Sequence, residues 1–273
     1  MVTPESDRAV APPRILTYHK IGSQFELGVT SVTRKRFSAH LDVLVGLGAQ
    51  SATASAAASG APRSVAVTFD DGYESVYTDA FPEICARGLT ATVFPVVGAV
   101  GRSTSWGWDV RLSVRPFGHL SWPQIDELVR HGFEVGSHTV SHRDLTRLAE
   151  HDLRAELAAS KKRLEDRTGR GVTAIAYPFG RTNRRVVAAA LDAGYRCGFL
   201  SAPVALGLAP EAKTGAMALG RMSVYSLDGR ASLLRKMGVR RGRSLEVLKN
   251  IVITGLSRGT TLVTPGGRPP GDE

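Results

Sequence analysis

The sequence lacks what several protein classes require. Its two cysteines in 273 residues, Cys85 and Cys197, do not make a disulfide framework; the expectation is two buried, reduced thiols. No apolar run approaches the ~18–20 residues that a membrane-spanning helix needs. The first twenty residues hold no basic stretch followed by an apolar one, so no secretory signal is read and a cytoplasmic location is expected. Aromatic residues make up only 7% of the chain. None interleaves with the late basic cluster Arg235, Lys236, Arg240, Arg241 and Arg243, which argues against a stacking platform for single-stranded nucleic acid. The formal charge of +10 leaves several readings of that cluster: a contact for nucleic acid, an anionic glycan or an acidic membrane surface, or an ordinary solvated face. No repeat of solenoid spacing is found, and no histidine follows His151.

What the chain does have is the material for one large core, with 42% hydrophobic residues. Periodicity predicts strands over 14–19, 65–69, 91–97, 133–137, 173–177, 195–200 and 219–225. It predicts helices over 33–47, 74–87, 121–131, 145–167 and 183–193. The Ala/Ser-rich residues 49–64 read as a surface connection, with a weak helix left open by the alanines. A long loop over 98–120 carries Trp106, Trp108 and Phe117. Residues 1–13 are polar and proline-rich and read as disordered, 14–254 as a single domain, and 255–273 as a Gly/Pro-rich flexible tail.

The most informative stretch is Val65-Ala-Val-Thr-Phe-Asp-Asp-Gly72. An apolar, β-branched strand runs into two adjacent carboxylates, which a core strand rarely carries unless they are paired or bind a cation. Neighbours leaving a strand point in opposite directions, so Asp70 and Asp71 can do different work. A second cluster, Ser137-His-Thr-Val-Ser-His142, follows the apolar run 132–136 and sets two imidazoles four residues apart. One carboxylate and two histidines suit a zinc-type cation with positions left open. His19, Asp70/Asp71, His138/His142 and Tyr177-Pro-Phe-Gly180 each follow a predicted strand. In a parallel βα array those strand ends share one face, where α/β barrels build active sites.

Thr68-Phe-Asp-Asp-Gly72, His138-Thr-Val-Ser-His142 and Tyr177-Pro-Phe-Gly180 together resemble the polysaccharide deacetylases, the NodB-homology group or carbohydrate esterase family 4. The resemblance covers roughly residues 14–225. It implies an α/β fold, a distorted (β/α) barrel of the NodB type in one domain. It also implies a divalent metal, with Zn2+ as the usual ion, and hydrolysis of N-acetyl groups on N-acetylglucosamine-type glycans or their precursors. Carried onto this chain, Asp71, His138 and His142 are metal ligands, Asp70 is the general base, and the backbone N–H of Phe179 helps bind the oxyanion. Tyr177, Pro178, Phe179, Trp106 and Trp108 are the expected substrate-binding residues.

Three departures stand out. Ala176 occupies the position of an arginine that normally holds the base aspartate. The aspartate–tryptophan motif is not recognisable. The late Leu-x-His motif that normally supplies the general acid is absent. His19 is the candidate replacement, because Ile15-Leu-Thr-Tyr-His19 resembles the opening of a subgroup with a rotated barrel and an N-terminal acid histidine. That subgroup includes poly-N-acetylglucosamine deacetylases, and in a closed barrel the first and last strands can be neighbours. Other readings stay open. The same site suits an amidase acting on a small non-sugar amide, or a catalytically weak glycan-binding module. Cobalt and nickel suit the ligands as well. Trp106 and Trp108 form a sugar-stacking wall or mere loop packing, and Tyr177 lines the cleft or belongs to the core. His40, His119, His131 and His151 fall outside the motifs and are expected at the surface.

Overall fold

The computed structural model describes residues 14–22, 29–61, 64–104, 117–201 and 215–260. Trp106, Trp108 and the segment 1–13 lie outside the described residues. In chain order the strands are β1 (Arg14–Tyr18), β2 (Lys20–Ile21), β3 (Ser31–Val32), β4 (Gln50–Ala52), β5 (Ser64–Asp71), β6 (Thr92–Pro95), β7 (Ser103–Thr104), β8 (Phe117–Gly118), β9 (Glu134–Val135), β10 (Ala174–Ala176), β11 (Cys197–Leu200), β12 (Leu219–Gly220) and β13 (Met222–Ser223). The helices are α1 (Arg34–Gly46), α2 (Ala54–Ala58), α3 (Phe81–Cys85), α4 (Trp122–Arg130), α5 (Glu150–Thr168), α6 (Arg184–Asp192), α7 (Arg230–Lys236) and α8 (Arg243–Thr260).

β5 is buried along its whole length, as a parallel strand covered on both faces must be. It pairs in parallel with β1 on one side and with β4 and then β6 on the other. The sheet runs β13-β1-β5-β6-β9, and a second sheet runs β10-β11-β12. Two thin seams join them into a distorted barrel. Ser137, just past β9, bridges in parallel to Ile175 of β10. At the other seam the chain changes neighbour: Leu219 and Gly220 pair with β11, whereas Met222 and Ser223 run beside β1. Arg221 sits on that seam. Because the pairings around the ring are parallel, the C-terminal ends of its strands gather on one rim.

Local chemistry explains the helix starts. The Thr33 side chain accepts from the Arg36 N–H to cap α1, and Ser121 and Gln124 form a reciprocal capping box on α4. Several expectations are corrected. The segment 49–64 is not a bare connection: it carries β4 and α2, the latter packing its buried Ala54 and Ala57 inward. The helix predicted over 74–87 begins with a π turn, Val76–Ala80, before α3. The one predicted over 145–167 is a 3-10 turn, Leu145–Arg147, followed by α5. α8 runs to Thr260, past the expected boundary at 254. Cys85 is exposed rather than buried, and His40 and His119 are buried rather than at the surface.

The basic C-terminal cluster also divides. Lys236 is buried, donating to the Ser223 carbonyl at 2.7 Å and pairing with Asp228 at 3.1 Å. Arg235 pairs with Glu246 at 2.8 Å, while Arg240, Arg241 and Arg243 are exposed. Beneath this group His40 is locked by two hydrogen bonds. Its Nε2–H donates to the Asp228 carbonyl at 2.8 Å, and its Nδ1 accepts from the Tyr18 hydroxyl at 3.1 Å. Among the described residues, no helix is long and apolar enough to cross a membrane.

Candidate active site

The rim assembles the motifs that the sequence separates. β5 delivers Asp70 and Asp71 at its last two positions. Gly72, at φ +70°, makes the turn away from the strand; a Cβ there would lie 2.8 Å from the Pro95 backbone. The loop after β9 delivers His138 and His142. Asp71 Oδ1 lies 3.3 Å from His138 Nε2 and 3.5 Å from His142 Nε2. The ligand atoms of all three fall within 4.8 Å of one another, and all three residues are buried. Donors bound to one tetrahedral ion at the ~2.0–2.1 Å of a zinc–nitrogen bond lie roughly 3.4 Å apart. The measured separations therefore fit a shared cation, and the imidazole and carboxylate donors suit one.

The histidines are held as ligands need to be. His138 Nδ1–H donates to the Ala176 carbonyl at 2.7 Å, which fixes the tautomer and turns Nε2 toward Asp71. The loop between the two histidines is pinned from α5: Glu156 accepts from the N–H groups of Val140 (2.9 Å) and Ser141 (3.1 Å) and from the Ser141 hydroxyl. The Thr139 hydroxyl accepts from the His142 N–H at 3.1 Å. His142 packs edge-on against Phe179, with ring centroids 4.6 Å apart.

Strain accumulates at the same place. Among the described residues, the non-glycine positions with left-handed backbone are Asp71 (φ 66°), Thr139 (φ 68°), His142 (φ 56°) and Phe179 (φ 58°). All four belong to the rim motifs. Such conformations cost about 1–3 kcal/mol each and persist where the surroundings over-determine them.

The electrostatics separates the two aspartates. Burial pushes the Asp71 carboxyl up, but the hydrogen bond from His138, first, and the other imidazoles around it outweigh it, so Asp71 is held far below the usual carboxylate range. Burial and the neighbouring His138 push His142 down to about 3, which keeps its ring neutral and able to ligate. His138 moves upward: burial opposes its charged form, and Asp71 and Asp70 more than restore it.

Asp70 has a different partner. Arg221 is fully buried and grips both its oxygens, at 2.8 and 2.6 Å. The same guanidinium donates to the Leu200 carbonyl at 3.2 Å and to the Thr68 hydroxyl at 3.2 Å. Burial raises the Asp70 carboxyl, but the Arg221 charge, then His138, bring it below its ordinary value. Asp70 is thus an ionised carboxylate that shares the rim with the candidate ligand triad. Motif comparison reveals the missing arginine at Ala176 but not its replacement. The available signal is an arginine inside the otherwise apolar strand predicted over 219–225, since a buried arginine needs a carboxylate.

His19 follows β1 and is half-buried. It lies near enough to influence Asp70, Asp71 and His142 electrostatically, although it follows the first strand of the barrel. Phe179 and Gly180 are half-buried at the rim. Tyr177 is corrected as a substrate-facing side chain: it is fully buried and its hydroxyl donates to the Met217 carbonyl at 3.0 Å. Pro178 is buried as well. The two tryptophans lie outside the described residues.

Comparison with known proteins adds an independent line. The family model described as polysaccharide deacetylase matches residues 57–198. YxkH of Bacillus subtilis (strain 168), which carries the name of the same family, is 32% identical over 196 residues, covering 69% of this chain and 64% of that protein. The poly-beta-1,6-N-acetyl-D-glucosamine N-deacetylase of Staphylococcus aureus (strain MSSA476) is 27% identical, covering 50% of this chain and 47% of that protein. The chain therefore spans only about half to two-thirds of the length of these curated relatives. In fold it is similar to the Streptococcus pyogenes deacetylase PplD in complex with acetate, with a TM-score of 0.70 and 23% identity over 82% of this chain and 97% of that one.

Proposed function

Because the chain belongs to the polysaccharide deacetylase family, we propose that it hydrolyses N-acetyl groups on an N-acetylglucosamine-type glycan or glycan precursor. The observation that carries this reading is the pairing of a three-residue cation site with a clamped, ionised Asp70 on the same rim. The name of the Staphylococcus aureus relative supports the sugar class.

Asp71, His138 and His142 would hold the divalent cation, for which zinc is our proposal. Such a cation lowers the pKa of bound water toward ~7 and polarises an amide carbonyl. Asp70 takes the proton from the attacking water. Arg221 keeps it ionised and orients both its oxygens. The N–H of Phe179, in its left-handed turn, donates to the oxyanion that develops on the carbonyl. His19 is assigned the donation of a proton to the departing glucosamine nitrogen. This last assignment follows the subgroup with the acid histidine at the start of the barrel.

The test of the acid is His19→Ala. Turnover should fall by about 10²–10⁴-fold, the usual worth of a general acid, with bound metal unchanged. Undiminished turnover would remove His19 from the mechanism.

A further inference from the structure

We infer that the outward face of α8 is a docking surface for an anionic lipid bilayer. The helix is packed the unusual way round. Three polar residues of its middle turns face the protein: Glu246 and Asn250 are buried, Glu246 pairs with Arg235 at 2.8 Å, and Lys249 pairs with Asp228. The two ion pairs, to Arg235 and Asp228, fix the rotation of the helix. Leu245, Leu248 and Val252 are left outside, 68%, 56% and 52% exposed. At three and seven residues' spacing they make one narrow stripe. Single exposed leucines are ordinary, whereas a stripe of them fixed in register on one helix asks for an occupant.

The charges choose that occupant. Arg240, Arg241 and Arg243 are exposed at the start of the helix. Glu246, the one acidic residue within 243–260, is turned inward, so the outer surface near the stripe offers cations and no carboxylate from this helix. An apolar stripe beside exposed arginines matches a headgroup region bearing negative charge. A second copy of the chain is the poorer occupant, because each copy carries a formal +10. The inference does not depend on the deacetylase reading.

The test is co-sedimentation of the full chain with vesicles of mixed phosphatidylglycerol and phosphatidylcholine, against vesicles of phosphatidylcholine alone. Binding should require the anionic lipid and weaken with salt. Leu245→Gln/Leu248→Gln/Val252→Gln should weaken it by roughly tenfold or more, with an unchanged melting temperature because all three side chains are exposed. Arg240→Gln, Arg241→Gln and Arg243→Gln should each cost about fivefold, the equivalent of ~1 kcal/mol per charge near an anionic surface. Absence of binding to the mixed vesicles would overturn the inference. So would binding that survives the apolar triple substitution, or a dimer in light scattering that those substitutions dissolve.

Discussion

The protein buries charge in two places, and they are built differently. At the strand-end rim, Asp70 and Asp71 face one guanidinium, Arg221, and two imidazoles. Under the last two helices, Asp228 and Glu246 face Lys236, Lys249 and Arg235. The second cluster is already compensated by cations of its own. The rim is short of positive charge unless its histidines protonate or a cation joins them, and its ligand atoms converge on one point. The backbone differs in the same sense: among the described residues, the left-handed non-glycine positions all sit at the rim. Buried charge alone therefore does not mark a reactive site. Charge deficit, converging donor atoms and backbone strain together do.

The contrast between the two clusters is tested hardest at the ligands. Asp71→Ala or His142→Ala should abolish stoichiometric metal binding and reduce deacetylation to background, measured by elemental analysis and by acetate release. Full activity in either variant would make the rim an ordinary buried ion cluster.

Next in size are the two clamps. Arg221→Met leaves a buried Asp70 carboxylate without its partner and should cost about 3–5 kcal/mol of stability. The double change Asp70→Asn/Arg221→Met should recover much of that stability in chemical denaturation, but no turnover. Recovery of both would show that Asp70 is structural only.

Asp228→Asn probes the other cluster. It should also cost up to about 3–5 kcal/mol, because buried Lys236 loses its nearer carboxylate and keeps only Glu246 at 3.8 Å, while the folded variant keeps its metal affinity. The pH dependence follows from the sign of the shift. Burial raises the Asp228 carboxyl, but Lys236, Lys249 and Ser232 hold it below its usual value. Its contribution is complete above the unfolded value near ~3.9 and is lost as pH falls through the lower folded value. Melting temperatures measured through the acid range should thus fall more steeply for the wild type than for Asp228→Asn. Parallel curves would contradict the assignment.

The smallest expected effect lies in the support of the histidine loop. Glu156→Gln keeps an acceptor for the Val140 and Ser141 amides but removes the charge. Metal affinity should drop by roughly tenfold, as for groups one step behind a ligand, with little change in melting temperature. Unaltered affinity in a metal titration would mean that the loop is held without it.

How much of this is legible in the chain depends on contiguity. Asp70-Asp71-Gly72 and His138-x-x-x-His142 are short local patterns at strand ends, so the residues carry the candidate ligand triad, and the family resemblance built on them implies the barrel class. Arg221 cannot be assigned in that way, because its partner lies about 150 residues earlier and meets it only where the barrel closes. Lys236 reads as one of its basic neighbours because composition does not say which face of α7 turns inward. α8 is obscured for a related reason: Glu246 and Asn250, of a type that normally faces solvent, are used inside. Residues 49–64 hide β4 and α2 because a three-residue strand and an alanine-rich turn leave almost no periodic signal.

If the rim triad and Asp70 act together on an N-acetyl group, acetate should be released from N-acetylglucosamine oligomers by the purified chain. That release is the measurement to make, with and without added zinc, alongside Asp70→Asn. Zinc-dependent release is expected from the wild type, and its loss from Asp70→Asn while that variant keeps its metal. Stoichiometric zinc with no release from the wild type, or equal release from Asp70→Asn, would contradict the joint action of triad and aspartate.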